Sequence, residues 1–354
     1  MDLSVGTPVD PVPRVVREAL AGAGDAPGYP TTHGTPRLRE AAAGWLARRH
    51  GVSVDPAAVL PVIGTKEFIA ALPTLLGCGP ADRVVHPELA YPTYDIGARL
   101  AGAQAVAADI GGEPSVVDDF KDLSATVQPP ELPAAVRLAW VNSPSNPTGR
   151  VLTVARLRSI VAAVRAARAV LASDECYLEL GWSAQPVSVL HPDVSGGSPH
   201  GLLAVHSVSK RSNMAGYRAG FVTGDPELVA DLLEIRKHAG MMMPAPVQAA
   251  MAAALDDDGH ADEQRARYAA RRDRLRAALT GAGWTIEHSE AGLYLWASRP
   301  GHDCWGSVQM LAEAGVLVAP GEFYGPAGQQ HIRVALTATD ERVDAAVSRL
   351  AALT

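Results

Sequence analysis

The chemistry-bearing stretch of this chain is Ser207-Val208-Ser209-Lys210, which closes an apolar run over residues 202–206 and is followed, across a short loop, by Arg218. The pattern predicts a buried strand that ends in two hydroxyls and an ammonium group, with a guanidinium close behind. An amine delivered by a strand end can form a Schiff base with an aldehyde, while hydroxyls and a guanidinium can hold a phosphate. Together they suit a phosphorylated aldehyde cofactor, pyridoxal 5′-phosphate (PLP). The other lysines, Lys66, Lys121 and Lys237, lie in polar or helix-flanking surroundings. Lys210 is therefore the candidate for covalent work, against the ordinary alternative of a solvated surface lysine.

Two further apolar runs end in the same way. Residues 137–140 lead into Val141-Asn142-Ser143-Pro144-Ser145-Asn146-Pro147-Thr148-Gly149, and residues 170–171 lead into Ala172-Ser173-Asp174-Glu175-Cys176-Tyr177. Three such strand ends make one crevice, because ligands of an open α/β sheet sit outside the carboxyl ends of its strands. In these three motifs and their order the chain resembles the class I/II, fold-type-I PLP-dependent aminotransferases, over residues 2 to about 352. The resemblance implies an α/β fold in which a large domain carries a mostly parallel sheet sandwiched by helices, beside a smaller α/β domain. It divides the chain into an N-terminal segment of the small domain (1–26), the large PLP-binding domain (27–237) and the small C-terminal domain (238–354).

Composition narrows the functional classes. A chain of 354 residues allows about two domains. A formal net charge of -7 argues against a nucleic-acid surface, so an anionic substrate must be held by local arginines. No apolar window is long enough for a membrane span, and the first residues lack the basic segment and apolar block of a signal peptide, so a cytoplasmic protein is expected. Cys78, Cys176 and Cys304 are widely spaced and without a CxxC pair, which gives no disulfide framework and no metal site.

Taken in order, residues 2–11 read as an extended, turn-rich opening before a short helix over 13–21. Thr35 and Pro36 read as the N-cap and first residue of a helix that Gly51 stops. A strand over 59–63 breaks at Gly64-Thr65-Lys66-Glu67 into a helix over 68–76, offering free N–H groups and a positive dipole end to an anion. After a strand over 84–86, Tyr91 can stack on a pyridine ring, with Tyr94 expected to be a packing residue. Residues 111–133 read as irregular, and Asp118, Asp119 and Asp122 as a solvated face. A crossover helix over 153–168 implies a parallel or mixed sheet. Helices over 226–238, 244–255 and 261–282 follow, the last read as a solvated, salt-bridged arginine helix. Short strands over 284–288, 292–297, 315–319 and 331–336, with helices over 306–314 and 340–350, complete a smaller α/β domain.

The resemblance assigns roles residue by residue. Lys210 holds PLP and then moves the proton between substrate carbon and cofactor. Asp174 keeps the ring nitrogen protonated, as an adjacent carboxylate favours the charged form. Tyr177 and Asn146 bond the ring's phenolic oxygen, and Tyr91 stacks on the ring. Thr65, the Lys66 backbone, Ser207, Ser209 and Arg218 hold the phosphate, joined by Tyr29 from the partner subunit of a homodimer with shared active sites. Gly6, Asn146 and Arg333 face the substrate, where a strand-borne guanidinium can take the α-carboxylate bidentately. The Lys66 side chain and the Arg236-Lys237-His238 segment are the candidates for the substrate's far end. Outside the shared motifs the similarity is to succinyldiaminopimelate aminotransferases, which implies amino-acid and 2-oxo acid substrates and a place in lysine and diaminopimelate biosynthesis. Family members usually carry an additional arm before Gly6. Two rivals use the same cofactor: a carbon–sulfur β-lyase, which differs in its substrate pocket, and a regulator, which needs a DNA-binding module.

Overall fold

The protein is seen in a computed structural model that describes residues 1–109 and 135–353. Asp118, Asp119, Lys121 and Asp122 lie outside the described residues. The main sheet has the strands β1 (Val59–Val62), β2 (Asp82–Pro87), β3 (Gln104–Ala108), β4 (Ala135–Asn142), β5 (Val170–Asp174), β6 (Leu202–Ser207) and β7 (Gly220–Gly224). Their order is β1-β7-β6-β5-β4-β2-β3. Only β7 runs against its neighbours β1 and β6, and the remaining pairs are parallel.

The strands are apolar on both faces, as a sheet covered by helices on each side requires. Ala139, Val141, Leu202 and Ala204 point into one hydrophobic cluster, while their chain neighbours Leu138, Trp140, Leu203 and Val205 point into the other. Helices α1 (Arg14–Gly22), α2 (Pro36–His50), α3 (Thr65–Leu75), α4 (Thr93–Leu100), α5 (Val154–Ala166), α6 (Pro192–Ser195) and α7 (Pro226–His238) accompany this sheet. Helix α2 starts and stops as its sequence dictates. Thr35 Oγ1 accepts the Leu38 N–H at 3.2 Å, Pro36 takes the first turn, and Gly51 ends the helix at φ 65°.

The smaller sheet is antiparallel, with β8 (Thr285–Glu287), β9 (Tyr294–Ser298), β10 (Ala319–Pro320) and β11 (His331–Ala335) in the order β10-β11-β9-β8. Helices α8 (Ala245–Asp256), α9 (Gly259–Gly281), α10 (Cys304–Glu313) and α11 (Asp340–Ala351) complete the described elements. The chain start is stitched into this part: Leu3 donates to the Leu317 carbonyl and accepts from Ala335, each at 2.8 Å, and its side chain is buried in the small core.

Two helices outside residues 27–237 pack with the large sheet. Val16 of α1 and Ala250, Met251 and Leu255 of α8 share the large-sheet cluster with Trp45 and Phe221. Helix α1 packs on α8, and α8 packs in turn on α2 rather than on the small sheet, so the chain crosses between the two cores inside the opening segment and again after α8. Helix α9 also differs from a solvated arginine face. Arg271 is buried and bidentate to Asp10 at 2.6 and 2.7 Å, and Arg272 is buried with Nη2 on the Ser289 carbonyl.

Candidate active site

The carboxyl ends of β4, β5 and β6 lie side by side and deliver Asn142, Asp174 and Ser207 to one crevice. Asn142 organises the turn that follows β4. Its Nδ2 donates to the carbonyls of Pro144 and Asp174, and its Oδ1 accepts the Asn146 N–H at 2.7 Å. Asn146 is thereby fixed at the mouth of the crevice.

Asp174 is buried, and its carboxylate has two donors: Tyr94 O–H to Oδ2 at 2.8 Å and Cys176 N–H to Oδ1 at 3.2 Å. Burial raises the acid's pKa, while the bonds from Cys176 and Tyr94 favour its charged form. Tyr94 does more than pack. Its ring stacks on Trp140 at 5.0 Å, and burial beside Asp174 keeps its hydroxyl protonated as a donor. Sequence reasoning missed this because an aromatic near an apolar run reads as core; the hydroxyl, which a buried tyrosine must satisfy, was the available signal.

Lys210 stands in the turn after β6 and donates through Nζ to the Gly6 carbonyl. Burial pushes the ammonium's pKa down, and the guanidinium groups of Arg333 and Arg218 act in the same direction. Gly6 is required by contact: a Cβ there would lie 2.1 Å from the Tyr294 hydroxyl. Tyr177 approaches the same hydroxyl at 3.3 Å, and burial followed by this neighbour raises the Tyr177 pKa well above the ordinary phenol value.

An anion cradle lies at the start of α3. Gly64 caps the helix at φ 76°, and a Cβ on it would sit 2.2 Å from Arg218 Nη2, so the guanidinium rests against this turn. Arg218 is held there by its left-handed backbone, φ 55°, and by Nη1 donating to the Ala215 carbonyl at 2.8 Å. Thr65 opens the helix and accepts from the Cys176 thiol at 3.4 Å, while Ser207 Oγ accepts the Ser209 N–H at 3.1 Å. Lys66 is exposed, with its ammonium 5.7 Å from the centre of the Tyr91 ring.

Arg333, on β11, enters from the small sheet and is buried. Nη1 donates to Asn146 Oδ1 at 2.9 Å, Nη2 donates to the Ser4 carbonyl at 2.7 Å, and Nε has no partner among the described residues. The Tyr294 and Tyr324 rings lie 3.9 and 4.7 Å from the guanidinium carbon. These two tyrosines are the other residues missed from sequence, where they read as strand and loop packing. Such contacts orient the guanidinium without consuming its donors.

The structure thus gathers Gly6, Thr65, Tyr91, Asn146, Asp174, Tyr177, Ser207, Ser209, Lys210, Arg218 and Arg333 around one crevice. Tyr29 is apart from them on the surface, 94% exposed. Arg236 is not a free cation: it is buried and bidentate to Glu67 at 2.8 and 3.0 Å, and Lys237 pairs with Glu234. The donor set fits PLP, since the Gly64 and Arg218 turn offers convergent donors to a phosphate and Asp174 is a buried acid placed to face a protonated ring nitrogen.

Comparison with known proteins agrees with this geometry. The model of the family "Aminotransferase class I and II" matches residues 1–350. The chain is 58% identical over 354 residues to 4-dedimethylamino-4-oxo-anhydrotetracycline transaminase of Streptomyces rimosus, covering 99% of this chain and 92% of that one. It is 32% identical over 359 residues to LL-diaminopimelate aminotransferase of Dehalococcoides mccartyi, covering 99% and 90%. Among solved structures, an aminotransferase from Staphylococcus aureus superimposes with a TM-score of 0.88 at 28% identity, covering 100% of this chain and 93% of that one. The chain belongs to the class I and II aminotransferases, with their fold-type-I architecture and their PLP dependence.

Proposed function

We propose that this aminotransferase moves an amino group between glutamate and N-succinyl-2-amino-6-oxopimelate, giving 2-oxoglutarate and N-succinyl-LL-diaminopimelate. The observation that carries the reading is the pairing of one buried guanidinium fork, Arg333, with an exposed ammonium, Lys66, beside the Tyr91 ring. Arg333 takes the α-carboxylate of every substrate, with Gly6 and Asn146 beside it. Lys66 takes the far end of the longer one. The likeness to LL-diaminopimelate aminotransferases supports a substrate of this class.

When bound, PLP supplies an electron sink for the carbanion at the substrate's α-carbon. The other roles fall to the chain. Lys210 would hold the cofactor at its aldehyde and would take and return the proton of the substrate α-carbon; burial pushes its pKa down, which favours the free base that proton transfer needs. Asp174, supported by Tyr94, would hold the ring nitrogen's proton. Tyr177 and Asn146 would donate to the ring's phenolic oxygen, Tyr91 would lie against the ring, and Thr65, Ser207, Ser209 and Arg218 would take the phosphate. In a homodimer the exposed Tyr29 would reach the phosphate of the neighbouring site.

A second reading follows from the 58% identical relative, whose name gives an oxo-anhydrotetracycline as substrate. A half-reaction screen separates the two: glutamate, N-succinyl-LL-diaminopimelate, unsuccinylated diaminopimelate, aromatic amino acids and an anhydrotetracycline amine are each mixed with the PLP-loaded protein, and loss of the lysine-bound cofactor's absorbance is followed. The reading expects the succinylated compound and glutamate to react fastest. Faster reaction of unsuccinylated diaminopimelate, an aromatic amino acid or the tetracycline overturns it.

A further inference from the structure

Directly behind the strand-end residues lie a buried acid and an imidazole that amino transfer leaves without a role. Glu175 follows Asp174 at the end of β5, and His206 precedes Ser207 on the adjacent β6. Both side chains are buried. Glu175 Oε1 accepts the Val189 N–H at 2.7 Å. Its Oε2 and both His206 ring nitrogens have no hydrogen-bond partner among the described residues, and Oε2 faces His206 Nε2 across 3.7 Å. The imidazole is held in place by Trp45, edge-on at 5.3 Å, and by Phe221 at 4.9 Å.

Charge decides what such a pair is. Glu175 and Asp174 are neighbouring buried carboxyl groups, and two like charges so placed favour a proton on one of them. Asp174 has donors on both oxygens, Tyr94 and Cys176, which favour its charged form. Glu175 Oε2 instead faces a ring nitrogen that can accept. We propose that Glu175 is held as a neutral carboxylic acid that keeps its own proton beside a neutral His206, a positioning pair that leaves Asp174 as the charged carboxyl at the end of β5 and sits between β5 and β6 beside the Lys210 turn. The inference rests on the reading of Asp174 as the partner of the ring nitrogen.

The environment agrees with that proton count. Burial pushes the Glu175 acid up to about 7 and the His206 imidazolium down to about 3. The titratable groups facing the pair are Asp174, from β5, and His50, from the end of α2, which burial lowers to about 4. Glu179, Arg49, Arg211 and Asp258 lie beyond His50, and the Val189 N–H with the Ser188 and Ser173 hydroxyls bonds Glu175 and favours its charged form, which burial outweighs.

The sign of the pH dependence gives the test. A raised Glu175 pKa makes stability fall as pH rises from the unfolded value of 4.5 to about 7, and a lowered His206 pKa makes stability rise from about pH 3 to 6.5. Glu175→Gln, a neutral donor in the acid's place, removes the first slope and keeps the second. The melting temperature of the variant holoenzyme, relative to wild type, is expected to rise by roughly 2–4 °C between pH 4.5 and 7 and then level off. A flat or falling difference overturns the proposal, as does a wild-type infrared spectrum at pH 6 without a protonated-carboxyl band that Glu175→Gln removes. Glu175→Ala is expected to lower kcat about tenfold with KM little changed, and Gln to recover most of the loss; equal losses in both variants also overturn it. The melting and infrared readouts need no substrate, so a failure of the amino-transfer reading would leave them unchanged.

Discussion

Arg333 Nη1 donates to Asn146 Oδ1 across 2.9 Å, joining a strand of the small sheet to the turn that follows β4 of the large one. The same asparagine is anchored from behind by Asn142, which also bonds the Asp174 carbonyl. The proposed α-carboxylate site and the proposed ring-nitrogen site are therefore held by one continuous polar framework. A small displacement of the Asn146 turn would move both.

Arg333→Lys should weaken every amino-acid substrate together. The fork lies against two tyrosine rings, with Nη1 on Asn146 and Nη2 on the Ser4 carbonyl, and an ammonium replaces it with a point charge. Loss of one charge-assisted bond is about 1.5–3 kcal/mol, or roughly 10–100-fold in kcat/KM. Steady-state kinetics with glutamate and with a second amino donor check this, and a loss confined to one of them contradicts it.

Tyr94→Phe removes a donor from the buried Asp174 carboxylate while keeping the ring that stacks on Trp140. Because that bond favours ionised Asp174, its loss raises the acid's pKa further, and the acid limb of the kcat profile should move to higher pH. Stability should fall by about 1–2 kcal/mol. An acid limb that stays in place would show that Tyr94 only packs.

Asp10 and Arg271 give a stability prediction away from the crevice. Burial alone would raise the Asp10 pKa, but bonds from Arg271 and Gln264 outweigh it and hold the acid below its ordinary value. A carboxylate with a depressed folded pKa contributes stability that is present above its unfolded pKa and lost as pH falls through the folded one. Asp10→Asn should therefore be less stable at pH 7, by about 1–3 kcal/mol, with the gap to wild type closing toward acid pH. Denaturation at several pH values measures it; a gap that widens in acid contradicts the pairing.

Much of the architecture is legible in the sequence, because β4, β5 and β6 are apolar runs that stop abruptly at residues with chemistry to do. Asp174, Ser207 and Lys210 are readable for the same reason. The cap of α2 is equally explicit, since Thr35, Pro36 and Gly51 each carry a local backbone requirement. Strands β3 and β7 and helix α4 are less so: β7 is short and begins and ends in glycine, and three of the five residues of β3 are alanine, so neither shows strong alternation. Tyr94, Tyr294 and Tyr324 escape because their rings satisfy the core pattern while their work is done by a hydroxyl or a ring face. The fate of Arg236 is invisible for the opposite reason. Its partner Glu67 lies 169 residues away, and only tertiary packing shows that the charge is already matched.

The most direct test of the central claim is made on Lys210, the half-buried amine set between Gly6 and the guanidinium groups of Arg333 and Arg218. Lys210→Ala protein is incubated with PLP, treated with borohydride, and digested to look for a cofactor-modified lysine, with wild type alongside. The account predicts that wild type is modified at Lys210, and that the variant shows no modified lysine and no multiple turnover. A borohydride-fixed adduct on Lys66, Lys121 or Lys237 in an active variant would contradict it.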